Sequence, residues 1–266
     1  MNGKKTMLLA AIAGMFLTVG CQSDAPQIAP TKLAAASVEE PTKPAQPVAD
    51  LAHLMGKFDP ATDPDFVKIG KPYTDKPGMF LRKQAAEAFQ KMADAARADG
   101  VTLKIISSTR PFEHQKNIWE GKWKKLAASH PNPTERALKI LEFSSMPGTS
   151  RHHWGTDVDL NDLNNATFEA GGKGEKIYKW LTAHAHEFGF CQPYSPKNEA
   201  RPHGYNEEKW HWSFMPISQK LLADYQKTVR NDMISGFAGA EQAVKIDAVG
   251  KYAGGISQAC AGGSGQ

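Results

Sequence analysis

Two short runs of this sequence are dense in side chains that bind metal ions: SRHHWGTDVDL at 150–160 and EEKWHWSF at 207–214. In the first run, His152 and Asp159 are seven residues apart, an odd separation that would point them to opposite faces of a straight strand. A shared site therefore requires the backbone to turn between them. Gly155 is the residue that allows such a turn, because glycine adopts backbone conformations that other residues avoid.

The second run places a carboxylate close to a histidine: Glu208 precedes His211 by three residues, and tryptophans flank the histidine. Two histidine nitrogens and one carboxylate are the ligand set of hydrolytic zinc, which keeps a fourth position for water and lowers the pKa of that water to about 7. A second carboxylate, not itself a ligand, is then needed to take the proton, and Glu208 suits that role. The alternative is structural, because a histidine beside tryptophan can pack in a core and Asp159 can form a turn.

The composition of the 266-residue chain is that of a folded globular protein, with 41% hydrophobic and 23% charged residues. The formal net charge is +4, and two of the 32 basic residues, Lys4 and Lys5, lie in a segment that we expect to be removed. The remaining 30 basic residues against 28 acidic ones leave a net charge of +2. Such a surface provides no electrostatic reason to expect nucleic-acid binding.

The first 20 residues have the pattern of a secretory signal, in which two lysines precede an apolar run from Met7 to Val19. This run of 13 residues is shorter than the roughly 20 that span a bilayer. The small residue before Cys21 resembles a bacterial lipoprotein signal. We therefore predict a signal peptide at 1–20 and lipidation of Cys21, with simple cleavage as the alternative.

Two residues around the cleavage site bear on where the mature chain is held. Thr18 departs from the aliphatic residue usual in lipoprotein signals at the third position before the cysteine. Gln22, rather than aspartate, follows the cysteine and favours the outer membrane if the source is Gram-negative. We expect a lipid-anchored protein on the periplasmic side of the cell envelope.

Composition divides the rest of the chain into three parts. We predict a Pro/Ala-rich tether at 21–60, a catalytic domain with C-terminal helices at 61–253 and a flexible tail at 254–266. Apolar spacing predicts a strand at Val101–Ser107 and helices at Met79–Arg97, from Pro111 onward, at Ile177–Phe188, at Ile217–Val229 and at Ala238–Tyr252. Helices with a few short strands indicate an α+β fold. Cys191 and Cys260 can pair in an oxidising compartment, but the sequence leaves that pairing open.

The two runs, together with a third, resemble the VanY-type D-alanyl-D-alanine carboxypeptidases, within the LAS group of zinc peptidases. Ser150, His152 and Asp159 have the spacing of that family's signature, and the second run contains its Glu-x-Trp-His pattern after a similar gap. The third run, SSTRPFEHQ from Ser107, resembles the family's Ser-x-x-Arg pattern followed by Gln five residues later. The resemblance covers about residues 100–215. It implies a LAS/hedgehog-like zinc peptidase fold, a small antiparallel sheet flanked by helices.

The resemblance also implies a role for residues in all three runs. One zinc ion would be bound by His152, Asp159 and His211, with Glu208 as the general base. Substrate would be bound by Arg110, Ser150, Gln115, Ser107 and Trp210. Arg110 would hold a terminal carboxylate or an oxyanion, because its planar guanidinium can donate two parallel hydrogen bonds. For Ser150 and Arg110 the alternative is a cap at a helix or turn.

The implied activity is removal of the terminal D-alanine from peptidoglycan stem peptides by attack of a metal-activated water, in a protein that we expect to be monomeric. Two alternatives stay open: an endopeptidase that cuts inside peptidoglycan cross-links, and a non-catalytic wall-binding module. A metal-dependent nuclease is disfavoured by the secretion signal and the low net charge. The sequence does not separate D,D-cleavage of a pentapeptide from L,D-cleavage of a tetrapeptide.

Some positions depart from the family pattern. Arg151 stands where the family usually has an acidic residue, Asp157 where it has a small one, and Gln192 and Pro193 where an arginine is common. The resemblance places these positions near the mouth of the cleft, where they would affect the choice of substrate.

His153 adds a second histidine next to the predicted ligand. Adjacent side chains of an extended backbone face opposite ways, so only one of the two can bind the metal. The spacing to Asp159 favours His152.

Overall fold

The structure, a computed structural model, describes residues 49–262. The predicted signal peptide, the lipidation site at Cys21 and the predicted tether as far as residue 48 lie outside the described residues. Within the described range, every helix is too short or too polar to cross a membrane.

The described chain is a mixture of helices and short antiparallel strands. Its α-helices are α1 (Leu51–Leu54), α2 (Lys83–Ala98), α3 (Phe112–Lys125), α4 (Pro133–Ile140), α5 (Asn165–Phe168), α6 (Glu175–His184), α7 (Met215–Thr228), α8 (Gln242–Ile246) and α9 (Gln258–Ala261). Its strands are β1 (Phe66–Ile69), β2 (Met79–Arg82), β3 (Ile105–Ser107), β4 (Asp157–Leu160), β5 (Phe190–Cys191) and β6 (His211–Phe214). Strands β1 and β2 pair with each other, and the other four form one antiparallel sheet in the order β3-β4-β6-β5. The α+β prediction is confirmed.

The two central strands of the four-stranded sheet carry apolar side chains on one face and polar side chains on the other, because successive side chains of a strand alternate in direction. The apolar face packs against α2 and α6, and consists of Val158, Leu160, Trp212 and Phe214. The polar face consists of Asp157, Asp159, His211 and Ser213. The antiparallel register places Asp159 opposite His211. The sheet itself therefore brings the two histidine-containing runs together.

The turn predicted at Gly155 is confirmed. A 3₁₀ helix at Arg151–Trp154 carries His152 and ends at Gly155, which has a φ of 72° in the left-handed region. A Cβ at this position would lie 2.3 Å from a ring carbon of Phe66. Both the backbone conformation and the close packing therefore require glycine between His152 and β4.

The domain extends further at both ends than predicted. At the N-terminal end, Leu54 and Met55 are buried in the core, so residues 51–60 belong to the folded domain and not to the tether. At the C-terminal end, the described part of the predicted flexible tail folds as α9, with Cys260 fully buried. The open question of pairing is resolved by a disulfide between Cys191 and Cys260, which joins the tail to β5.

Three predicted helices have different bounds because contacts distant in sequence override local spacing. The first turn of the helix predicted at Met79–Arg97 is instead strand β2, which pairs with β1, and α2 begins at Lys83. The helix predicted at Ile177–Phe188 becomes a 3₁₀ helix from Ala185. The helix predicted at Ala238–Tyr252 is interrupted at Asp247, which has a φ of 53° and accepts a hydrogen bond from the backbone of Gly250.

The C-terminal helices are part of the domain. Leu221, Leu222 and Tyr225 of α7 are buried in the same core cluster as Trp154, the last residue of the 3₁₀ helix that carries His152. The Tyr225 hydroxyl donates a 2.7 Å hydrogen bond to the carbonyl of Gly148, two residues before Ser150. Helix α7 therefore supports the loop that leads into the first histidine-containing run.

Replacing Gly155 with alanine should destabilise the fold more than the same change at Gly100. Gly100 also has a left-handed φ of 75°, but an added Cβ would meet no atom within 4 Å, so only backbone strain of about 1–2 kcal/mol applies. Gly155→Ala adds overlap with Phe66, and overpacking of this kind costs about 1–3 kcal/mol more. Urea unfolding in excess chelator measures both losses, and equal losses would contradict the packing seen at Gly155.

Candidate metal centre and active site

Three buried side chains, two from the sheet and one from the 3₁₀ helix, converge on one point. One donor atom from each of His152, Asp159 and His211 lies within 4.8 Å of the others. Oδ1 of Asp159 is 3.3 Å from Nε2 of His152 and 3.2 Å from Nδ1 of His211. Nε2 of His152 and Oδ1 of Asp159 are buried without a hydrogen-bond partner among the described residues. Buried donor atoms of this kind, two nitrogens and one oxygen, fit a zinc ion.

The ring nitrogen of each candidate ligand histidine that faces away from Asp159 contacts an acceptor oxygen. Nδ1 of His152 lies 2.9 Å from the carbonyl oxygen of Ser108, and Nε2 of His211 lies 3.0 Å from Oδ2 of Asp157. Each contact fixes the ring orientation and the tautomer, with the hydrogen on the nitrogen that faces away from the site. His152 would therefore bind a metal through Nε2, and His211 through Nδ1.

His153 is excluded as a ligand because both of its ring nitrogens are already used. Nδ1 lies 2.6 Å from the carbonyl of Arg110, and Nε2 accepts a 3.0 Å hydrogen bond from the backbone of Gly148. Burial lowers the pKa of His153 to about 3, which keeps the ring neutral. The choice of His152 over His153 agrees with this geometry.

Arg151 and Asp157 do not lie at the mouth of the cleft, as the resemblance implied, but form a fully buried ion pair beneath the metal centre. Nε of Arg151 is 2.9 Å from Oδ2 of Asp157, the same oxygen that contacts His211. Thr156 and Ser213 donate to its other oxygen at 2.7 Å. Burial raises the pKa of Asp157, but the charge of Arg151 and the contact with His211 outweigh it and hold that pKa below its usual range. Arg151 and Asp157, which both depart from the family pattern, are therefore partners in a single ion pair.

Glu208 lies beside the ligand set without belonging to it. Its Oε2 is 3.1 Å from Nδ1 of His211. Its position is set by the backbone, because its N–H donates to Tyr194 and the residues on either side of it are hydrogen-bonded to the Asn165 side chain. Burial raises the pKa of the Glu208 carboxyl, although the adjacent His211 acts in the opposite direction.

A cavity of about 580 Å³ opens above the three candidate ligands and Glu208. Arg110, Ser150 and Trp210, all predicted to bind substrate, line it. Nε of Arg110 and Oγ of Ser150 are buried and have no hydrogen-bond partner in the described part of the chain. Ser150 precedes a 3₁₀ helix but makes no side-chain capping bond, so the capping alternative does not apply to it. The cavity therefore offers free polar groups to a ligand.

Two predicted substrate-binding residues are not part of the cavity lining. Ser107 pairs with Asp159 across β3 and β4 and supports the ligand strand. Gln115 is buried in α3, and its amide donates a 2.7 Å hydrogen bond to the carbonyl of Ser145. It therefore holds a loop that lines the cavity. Gln192, which departs from the family pattern, donates to the carbonyls of Tyr194 and Glu208.

Several lining residues were not predicted: Ile118, Lys122, Phe143, Leu163, Tyr194 and Tyr205. Ile118 and Lys122 follow Gln115 by three and seven residues, which places all three on one face of α3. Helical spacing could therefore have identified these two. The others come from segments distant in sequence, and local spacing contains no sign of them.

Asp157→Asn should weaken zinc binding by about 10- to 100-fold, the usual cost of altering a group that orients a metal-binding histidine. The variant keeps the shape of the side chain but removes the charge that faces Nε2 of His211. Competition with a chromophoric chelator measures the affinity, with Asp75→Asn, a change on the exposed surface, as the control. Wild-type affinity in a folded Asp157→Asn protein would contradict the orienting contact.

Comparison with known proteins agrees with this site. A family model described as VanY, D-alanyl-D-alanine carboxypeptidase, matches residues 78–217. A D-alanyl-D-alanine carboxypeptidase of Enterococcus faecalis is 32% identical over 129 residues, which cover 48% of this chain and 46% of that protein. The Bacillus subtilis protein YodJ is 30% identical over 156 residues, which cover 56% of this chain and 52% of the length of YodJ. The chain spans about half the length of these curated relatives.

Among solved structures, one of VanYB in complex with D-alanine-D-alanine overlaps with a TM-score of 0.47 at 25% identity, over 62% of this chain and 84% of that one. An overlap at this TM-score does not by itself establish a shared activity. The family match is stronger, because it covers more than half of the chain and includes every candidate ligand and Glu208. The chain therefore belongs to the VanY D-alanyl-D-alanine carboxypeptidase family.

Proposed function

We propose that this chain is a zinc-dependent carboxypeptidase that removes the terminal D-alanine from peptidoglycan stem peptides. The position of Glu208 carries the proposal, because its buried carboxylate contacts the same nitrogen of His211 that faces Asp159. A structural zinc site is closed and needs no adjacent base, whereas hydrolysis needs one. This arrangement favours an enzyme over a wall-binding module. The description of the family and the name of the enterococcal relative support the class of substrate.

The chemistry divides between the metal and the side chains. Zinc bound by His152, Asp159 and His211 would polarise a carbonyl and lower the pKa of water at its open position to about 7. Glu208 takes a proton from the attacking water as the water oxygen bonds to the carbonyl carbon of the last amide. Glu208 then returns the proton to the amine as the carbon–nitrogen bond breaks. Its pKa, raised by burial, suits a group that both accepts and donates a proton.

Arg110 and Ser150 would select the end of a peptide chain. Both line the cavity, and Nε of Arg110 and Oγ of Ser150 have no hydrogen-bond partner in the described range. A terminal carboxylate supplies the acceptor oxygens that these donors need, with the guanidinium offering parallel hydrogen bonds. The fully buried His153 fixes the backbone of Arg110 through its carbonyl. A carboxypeptidase must recognise a free terminal carboxylate, and this arrangement supports that activity.

Defined penta- and tetrapeptide stem fragments, with products read by mass, test this function. We expect loss of one alanine, abolished by a chelator and restored by zinc, and the fragment that is trimmed distinguishes D,D- from L,D-cleavage. Glu208→Gln should lower the rate by about 10²–10⁴-fold with zinc still bound, because the amide cannot accept the proton. Glu207→Gln, which alters the adjacent residue outside the cavity lining, is the matched control.

Three results would count against this function. Full activity in a zinc-loaded Glu208→Gln protein would remove Glu208 as the base. Trimming that resists the chelator would remove the metal from the reaction. Cleavage of cross-linked dimers without trimming of either fragment would support the endopeptidase.

We also propose that the mature chain is anchored by a lipid on Cys21 at the periplasmic side of the cell envelope. The support is the sequence pattern of lysines, apolar run and small residue before this cysteine. Cys21→Ser should move the protein from the membrane fraction to the soluble fraction. Identical fractionation of the variant and the wild type would contradict the anchor.

A further inference from the structure

Lys122 is a cation that lines the cavity and has no ion-pair partner in the described part of the chain. It projects from α3, one helical turn after Ile118, and both residues line the cavity. The partner of its ammonium group is the hydroxyl of Ser144, a neutral group. Within residues 49–262, no carboxylate lies within ion-pair distance of Lys122, although lysines 139, 179 and 209 each have one.

This arrangement is costly unless a ligand compensates for it. Removing an ammonium group from water carries a desolvation penalty that an ion pair normally offsets. At Lys122, burial and then the charge of Arg110 lower the pKa of the ammonium, and Glu208 only partly opposes them. Two cations, Lys122 and Arg110, thus line one cavity without an ion pair in the described chain. An anionic ligand would relieve both.

The two cations are held at different places. Arg110 precedes α3, and its backbone N–H donates to the carbonyl of His152, so it lies next to the metal centre. Lys122 lies ten residues beyond the first residue of α3, about 15 Å along the helix axis at 1.5 Å per residue. Its contact with Ser144 holds it beside Phe143, a partly exposed ring that also lines the cavity. The two cations therefore enter the cavity from separate backbone positions, and a ligand with two anionic groups would contact each of them.

We propose that Lys122 is a specificity-determining residue that binds a second carboxylate of the substrate, on the side chain of a residue that precedes the terminal alanine. This inference rests on the proposed function, because Arg110 is taken to hold the terminal carboxylate. The substrate class is then a stem peptide whose diamino acid has a free carboxylate, as diaminopimelate has, in preference to one that contains lysine at the same position. The ammonium and the Ser144 hydroxyl would both donate to that carboxylate.

Two stem peptides that differ only in this residue, one with diaminopimelate and one with lysine, test the inference through the ratio of their kcat/KM values. The wild type should favour the diaminopimelate peptide by about 10- to 100-fold, the scale of one hydrogen bond to a charged group. Lys122→Met, which keeps the length of the side chain but removes the charge, should abolish most of that preference, mainly through KM. Lys124→Met, an exposed change on the same helix, should keep it.

The outcomes separate this inference from the function on which it rests. An unchanged preference in Lys122→Met, or an equal loss on both peptides, would overturn the role of Lys122. If the wild type trims neither peptide, the proposed function fails. Calorimetry then measures the affinity of the wild type and of Lys122→Met for each peptide, and an equal preference in the two proteins would overturn the role of Lys122. If Lys122→Met does not fold, Lys122→Gln, which also removes the charge, should lose most of the preference, and an unchanged preference in it would overturn the role of Lys122.

Discussion

The register between β4 and β6 is the constraint on which the rest of the site depends. By pairing Asp159 with His211, this register fixes two of the three candidate ligands on a rigid sheet. It also joins two segments that are distant in sequence, because Asp159 and Glu208 are 49 residues apart. The same pairing positions Glu208, because it lies three residues before His211 in the segment that leads into β6. The third candidate ligand, His152, reaches the site because the chain turns at Gly155. A slip of one residue in this register would turn every ligand on one strand toward the apolar core.

The charged side chains on the two sides of the candidate ligands differ in whether they form ion pairs. Below the ligands, Arg151 and Asp157 neutralise each other at 2.9 Å in a fully buried pair, and Asp157 also orients His211. Above them, Arg110 and Lys122 line a cavity with no ion pair in the described chain. The lower charges stabilise and orient the site, whereas the upper charges need a ligand to complete their electrostatic environment. This contrast supports the proposal that a negatively charged peptide end binds in the cavity.

The spacing of residues within one run of sequence was enough to predict the features of the site that depend on neighbouring residues. The turn at Gly155 is confirmed, and His152 lies beside Asp159 and His211 whereas His153 does not. Both predictions depend on residues a few positions apart. The rest depends on contacts distant in sequence. Gln115 has the family spacing but is directed to the carbonyl of Ser145, 30 residues away. Arg151 appeared to be a surface departure because its partner is recognisable only when the 3₁₀ helix and β4 fold onto each other. The disulfide joins cysteines 69 residues apart, and no spacing rule predicts it.

The central claim is that the ligand set and the base are distinct groups that share one histidine. A crystal structure of the zinc-loaded chain, with anomalous data collected at the zinc edge, tests this most directly. The account predicts one zinc ion bound by Nε2 of His152, a carboxylate oxygen of Asp159 and Nδ1 of His211, with Glu208 beside it but not coordinated. Zinc bound through the opposite nitrogen of His211, through His153, or through Glu208 in place of Asp159 would contradict it.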